Sequence, residues 1–274
     1  MGRIASRPIE SFSFPASRFL MGGAIQIRDG PDKTKLNCRF DPRRPELAPT
    51  MIIYTLLIEG ESPSQSPQET LSAPPLDAAD GACWAIENLV ISDVHLQPLP
   101  PTGMKVQRIF QVAFAELAAL RAFHGSEGAR AWRNRLSGEG LRCLPMLMLR
   151  NETLPRPPVA EGSQYVKRMG ILQRQSELSA DAFRRWWLEV HGPVAARLPG
   201  LKGYFQNLTY DVLGLESADS RGPLRCDGFT ELWFNDTAAM EQAFPLRTNT
   251  SVTRHANSHI AAISTLIVRE TVLR

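Results

Sequence analysis

His191 follows Trp187 by four residues and Phe183 by eight. On an α-helix the three share one face with Val190 and Val194. Such a face is buried, and an imidazole held against aromatic walls titrates near neutrality, where it can carry a proton to or from a substrate carbon or oxygen. The competing structural reading is a histidine near a helix end, bonded to a backbone carbonyl. Trp187 and Tyr204 could shape a pocket and Asn207 could orient a carbonyl, although aromatics at these spacings also build ordinary core. Glu231 alternates with Phe229 and Trp233, which reads as a buried carboxylate. Burial would raise its pKa and suit a proton-transfer partner; a salt bridge to Arg184 or Arg185 is the other reading. The candidate set is therefore His191 as general acid/base, with Phe183, Trp187, Tyr204, Asn207, Glu231 and Trp233 around a substrate.

Other chemistries find less support. His255 and His259 are four apart, but their neighbours Asn257 and Ser258 bring no acidic or cysteine ligand, so no metal site is expected. Cys38, Cys83, Cys143 and Cys226 are widely spaced, without a CxxC pair, and read as reduced thiols of a cytosolic protein. No glycine-rich dinucleotide fingerprint, phosphate loop or serine-nucleophile elbow occurs, and no cofactor is expected. The net charge of +3 is carried by residues 1–50, with nine Lys/Arg and five Asp/Glu; the remainder holds 22 and 23. A nearly neutral body gives no electrostatic footprint for nucleic acid. No apolar run approaches the ~20 residues of a membrane span, so membrane embedding is not expected.

Several elements must position these residues. Residues 1–50 read as a mobile extension, arginine-rich and then proline-rich. From residue 160 to 274 the pattern is clear. Tyr165–Gln173 is a strand, and Ser179 caps an amphipathic helix that runs to about Leu198, before Pro199-Gly200. Leu201–Tyr210 and Arg225–Phe234 are strands, Asp236 or Thr237 starts a second helix with a further turn near Val252–His259, and Ile263–Val272 closes the unit. This is the β-α-β-β-α-β order of a ferredoxin-like unit. Its uncovered sheet face needs a partner sheet. Residues 51–154 could supply it, with strands at Met51–Ile58, Asn88–Gln97, Lys105–Phe114 and Cys143–Arg150. Pro63, Pro67, Pro74 and Pro75 leave room only for a short first helix near Asp77–Ile86. The expected architecture is α+β, with tandem ferredoxin-like repeats.

The run Val166-Lys167-Arg168-Met169-Gly170-Ile171-Leu172 is followed by Leu178-Ser179-Ala180-Asp181-Ala182-Phe183, then by Trp187, His191 and Pro193 in a Phe-x-x-x-Trp-x-x-x-His-x-Pro helix. With Leu198-Pro199-Gly200-Leu201 and Asp227–Phe234, this stretch resembles the EthD family over about residues 165–272. The first block lacks the helix signature and reads as a degenerate copy. The resemblance implies a dimeric α/β barrel, formed here within one chain. It also implies chemistry on small organic molecules: decarboxylases or dehydratases among relatives, and cofactor-free isomerases, monooxygenases and haem binders elsewhere on the same fold. Fold alone does not choose between them.

The leading expectation is a cytoplasmic, cofactor-independent lyase or isomerase (decarboxylation, dehydration or proton shift) acting on a small cyclic or aromatic carbonyl compound through His191. An oxidoreductase, and a non-catalytic binding or assembly protein, are the alternatives. Uncovered sheet edges further point to a homodimer.

Overall fold

The computed structural model describes residues 51–60, 74–95, 98–157, 165–213, 226–244 and 256–274. The expected extension over 1–50, His255 and most of the loop at 211–224 lie outside them. Eight strands form one closed, wholly antiparallel barrel. They are β1 Met51–Glu59, β2 Ala82–Val94, β3 Val106–Phe114, β4 Arg142–Leu154, β5 Val166–Arg174, β6 Leu201–Val212, β7 Gly228–Phe234 and β8 Ile260–Val272. Around the barrel the order is β1-β3-β2-β8-β5-β7-β6-β4. Within each half the strands run fourth, first, third, second; the seams between the halves are β2 against β8 and β4 against β6.

The helices lie outside the barrel. In the first half, α1 Leu117–Gly125 and α2 Glu127–Gly138 follow β3 and bury Leu120, Phe123, Trp132 and Leu136. The expected short helix at Asp77–Ile86 is a 3₁₀ turn at Leu76–Ala78, and β2 begins at Ala82. Cys83, Trp84 and Ile86 are aromatic or β-prone residues that prefer a pleated surface. In the second half, α3 Ala180–Arg185 is capped by Ser179, whose hydroxyl accepts from Ala182 N–H at 3.1 Å. α5 Thr237–Ala243 is capped by Asp236, accepting from Ala239 N–H at 2.7 Å.

Strand alternation divides the side chains between two cores. The barrel interior takes Ile53, Leu57, Ile109, Met146, Met148, Met169, Ile171, Phe229 and Leu266 from both halves. Outside β5–β8, beneath the helices, lie Leu172, Phe183, Trp187, Leu208 and Ile263, and beside them Leu198, Tyr204, Leu232, Phe234 and Met240. Because the barrel closes on itself, its strands expose no unpaired edge, and the sheet-edge route to a homodimer is not offered by this barrel.

Candidate active site

The helix bearing His191 is not a uniform α-helix. After Arg185 it widens into a π-helical segment, Trp186–His191, and returns to α-geometry over α4, Gly192–Ala195. Pro193 has no N–H, so it cannot close an α-type bond to the preceding turn. Gly192 N–H donates instead to the Trp187 carbonyl, five residues back. The same carbonyl accepts from the Gln206 amide of β6 at 2.8 Å. Gly192 fits this arrangement closely: a Cβ there would lie 2.8 Å from Gln206 Oε1 and 3.2 Å from the Trp187 carbonyl, so the Gln206 amide would have to shift. The Gly-Pro after His191 is thus a local device that opens the helix where the histidine sits.

The wide turn corrects the expected buried stripe. Phe183, Trp187 and His191 are buried as expected, but Val190 is 44% exposed, while Trp186, Ala195 and Leu198 are buried. One extra residue in the turn rotates the residues beyond it, and that moves Val190 to solvent and brings Trp186 onto the His191 ring. The two rings lie 4.9 Å apart, and Trp186 also stacks on His259 at 4.0 Å and 5°. His259 Nδ1 lies 2.8 Å from Ser258 Oγ. Among the described residues no group of three or more His, Cys, Asp or Glu is placed to hold a metal ion.

Between this helix and the outer face of β5–β7–β6 lies a cavity of about 30 Å³, room for one water or one polar group. It is bordered by His191 and Trp187 above and by Arg168, Tyr204 and Thr230 on the sheet, with Leu172 and Ile263 beside them. Pairing across the sheet explains the grouping. Arg168, Leu232 and Tyr204 form one row across β5, β7 and β6; Gly170, Thr230 and Gln206 form the next. Gly170 keeps the floor open, since a Cβ there would lie 2.8 Å from Thr230 Oγ1. Gly228 does the same for the indole, because a Cβ would meet Trp187 Cζ3 at 2.5 Å.

The polar atoms at this cavity are unusual. Arg168 Nε, Trp187 Nε1, Tyr204 Oη and Thr230 Oγ1 are all buried and have no hydrogen-bond partner among the described residues. Each such group costs ~1–3 kcal/mol if left unsatisfied. Arg168 is 2% exposed. Its Nη2 donates to Thr265 Oγ1 at 3.0 Å and its Cζ lies 4.3 Å from the Phe244 ring, but no carboxylate pairs with it among the described residues. Burial pulls the guanidinium down to about 10, against the favourable influence of Tyr204. Burial likewise pushes the Tyr204 hydroxyl above its usual value, outweighing nearby Trp187, Gln206 and Arg168. Arg168 stays charged and Tyr204 stays protonated at neutral pH.

The candidate residues fall on two sides of one sheet. Phe183, Trp187, His191 and Tyr204 lie on the helix side, Phe183 packing on Trp187 at 5.5 Å. Asn207, Glu231 and Trp233 point into the barrel, so no single cavity contains all seven. Glu231 does not carry the raised pKa that its burial would give. Burial opposes its charge, but Arg150 and Lys167, with hydrogen bonds from Lys167 and Gln111, hold it at about 2. Its arginine is Arg150, across the seam from β4; Arg184 pairs with Asp181 instead. Lys167 Nζ reaches Glu231 at 2.7 Å, Glu270 at 2.6 Å and Asn88 Oδ1 at 2.8 Å. Gln111 and Asn207 donate to Glu231 at 2.8 and 2.9 Å. Arg156 also pairs with Glu270, so each carboxylate of this network is matched by two cations, an arrangement that reads as structural.

Sequence reading missed Arg168, Gly170 and Thr230. The signal existed: once β5 is a strand, Arg168 and Gly170 share a face with Leu172, opposite Lys167 and Met169.

The architecture is that of the α+β barrels in which two four-stranded sheets close on one another, here within one chain. Within it, residues 175–257 match the sequence model of the EthD domain. No curated protein matches the chain. Among solved structures, an anthrone oxidase-like protein is similar, with a TM-score of 0.55 at 10% identity over 81% of this chain and 93% of that one. A proposed monooxygenase from Lactobacillus acidophilus NCFM matches with a TM-score of 0.44 at 8% identity, over 81% and 95%. A mutant chlorite dismutase from Candidatus Nitrospira defluvii matches with a TM-score of 0.40 at 13% identity, over 80% and 91%. Among the described residues no helix is long and apolar enough to cross a membrane.

Proposed function

We propose that the protein is an enzyme that moves a proton on a small cyclic or aromatic carbonyl compound without a bound cofactor, as a lyase or isomerase does, with His191 as general acid/base. The observation that carries this reading is that four side chains bearing a buried polar atom without a hydrogen-bond partner line the cavity that His191 also borders. Donors lining one cavity would stabilise the oxygen of an enolate as it forms, which is how preorganised sites lower the barrier to proton abstraction beside a carbonyl. His191 would take the proton, and burial against Trp186 and Trp187 excludes water from the exchange. The cavity admits the substrate oxygen as it stands; the ring requires the side chains of Leu172, Phe244 and Ile263 to move aside. A haem would need a cavity roughly ten times larger, and no step is assigned to one.

Support for the two halves as copies of one unit comes from their shared strand order. In that reading only the second copy keeps the helix and the donors. A second functional reading, an oxidoreductase, is favoured by the fold shared with an anthrone oxidase-like protein: the same carbanion would react with dioxygen instead of a proton.

The test is solvent exchange. Small cyclic and aryl ketones are incubated with the protein in D₂O and followed by proton NMR, with oxygen uptake recorded in parallel. His191→Gln should keep the melting temperature and slow exchange about 10²–10⁴-fold. Exchange unchanged by His191→Gln would overturn the assignment. Oxygen uptake coupled to loss of the C–H signal would select the oxidative reading. A histidine that is only structural predicts a destabilised variant and no exchange in the wild type.

A further inference from the structure

Arg168 is a buried guanidinium with no acid to pair with among the described residues, whereas every other buried arginine or lysine described in this barrel has one. Lys167 and Arg150, one sheet-thickness away, share Glu231, and Arg108 pairs with Glu87. Burying an uncompensated charge is costly, and chains avoid it unless a ligand supplies the opposite charge. The partners around it sharpen the demand. Trp187 Nε1–H can only donate; the Tyr204 and Thr230 hydroxyls can both donate; Arg168 Nε–H donates and carries the charge. All four belong to side chains that line a space of about 30 Å³. A carboxylate offers one negative charge and about four lone-pair sites on two oxygens.

We infer that this cavity binds a ground-state carboxylate, so that the substrate is a carboxylic acid anion whose CO₂⁻ group lies between Arg168, Trp187, Tyr204 and Thr230. This deepens the proposed function and rests on the His191 cavity being the reacting site. A carboxylate arrives charged and pairs Arg168 between turnovers, and its own oxygens take up the enolate charge when His191 removes the proton from the carbon beside it. The carboxylate anchors the molecule beside His191, which then reaches the carbon or oxygen next to it.

The test uses formate, the smallest carboxylate, on the full-length protein, followed by calorimetric titration and by the shift in Tm, with formamide as neutral isostere and chloride as spherical anion, at constant ionic strength. Formate should bind and raise Tm, formamide should do neither, and chloride should bind more weakly than formate. Arg168→Met should abolish the formate effect, and its Tm without formate should equal or exceed that of the wild type, because an unpaired buried cation has been removed. Tyr204→Phe keeps the arginine and should weaken formate about tenfold or more. If Arg168→Met fails to fold, Tyr204→Phe decides. No formate effect on the wild type, equal binding of chloride, or undiminished formate binding in Tyr204→Phe would each overturn the inference. His191→Gln should still bind formate, so loss of proton exchange in that variant with retained binding separates the fate of the two proposals.

Discussion

Lys167 and Arg168 are neighbours in sequence, yet strand alternation sends one into the barrel and the other to the helix side, and their energetics diverge accordingly. The Lys167 side belongs to an ion-paired set in which Glu231 is held at about 2. Replacing Glu231 by Gln leaves Lys167 with Glu270 alone and Arg150 with no carboxylate partner among the described residues, so we expect a loss of about 3–5 kcal/mol in chemical denaturation. The pH dependence has a definite sign. A carboxyl whose folded pKa lies below its ordinary value of 4.5 adds stability above that value and loses it as pH falls toward 2. His124 acts in the same direction at higher pH. Burial, then the charge of Arg133, push it from 6.5 to about 4, so the unfolded chain takes up a proton first and stability declines as pH drops from 6.5. Denaturant midpoints measured from pH 7 to pH 3 should fall throughout for the wild type. His124→Phe should flatten the upper part and Glu231→Gln the lower. At this scale His191 was legible because residue type and spacing both speak for it. Arg168 was not: a Lys-Arg pair in sequence looks like a solvated pair until the strand is assigned, and its missing partner is a fact of three dimensions.

The elements show the same division between what pattern encodes and what contact decides. Ser179 and Asp236 announce their helices, and the strands around Met51, Lys105, Leu201 and Phe229 lie where alternation and turn residues place them. The π-helical segment is invisible to a 3.6-residue periodicity, which assumes the very turn that is broken. It goes with Pro193 lacking a donor, and with Gln206, from another element, donating to the Trp187 carbonyl that also accepts from Gly192 N–H. The extra residue of that turn is what brings Trp186 onto His191. Two variants test this. Gly192→Ala puts a Cβ 2.8 Å from Gln206 Oε1 and should cost about 1–3 kcal/mol through overpacking, with a larger fractional loss of turnover. Deletion of the exposed Val190 should let the helix close as a regular α-helix, leaving far-UV dichroism near native and abolishing proton exchange because His191 loses its place over the cavity. Retained exchange in the deletion variant would show that the wide turn has no part in positioning the histidine.

At the scale of the whole molecule, the two halves cannot be energetically independent, although the sequence reads as two units in a row. Each half supplies one sheet of four strands, and neither sheet has a covered inner face without the other. The interior charges make the dependence sharper: Asn88, Gln111 and Arg150 come from the first half, and Lys167, Asn207, Glu231 and Glu270 from the second. Opening either seam, β2–β8 or β4–β6, would also expose two strand edges to solvent and to other chains. Residues 51–274 should therefore unfold as one cooperative unit. Calorimetric and van't Hoff enthalpies should agree, and tryptophan fluorescence should change at the same midpoint in two variants that each keep one of the five tryptophans, Trp132 in the first half or Trp187 in the second. Glu231→Gln should lower the midpoint of both probes together, because the network it breaks belongs to neither half alone. Two separated transitions, or a Glu231→Gln shift confined to the second-half probe, would show that the halves fold as separate domains that merely dock.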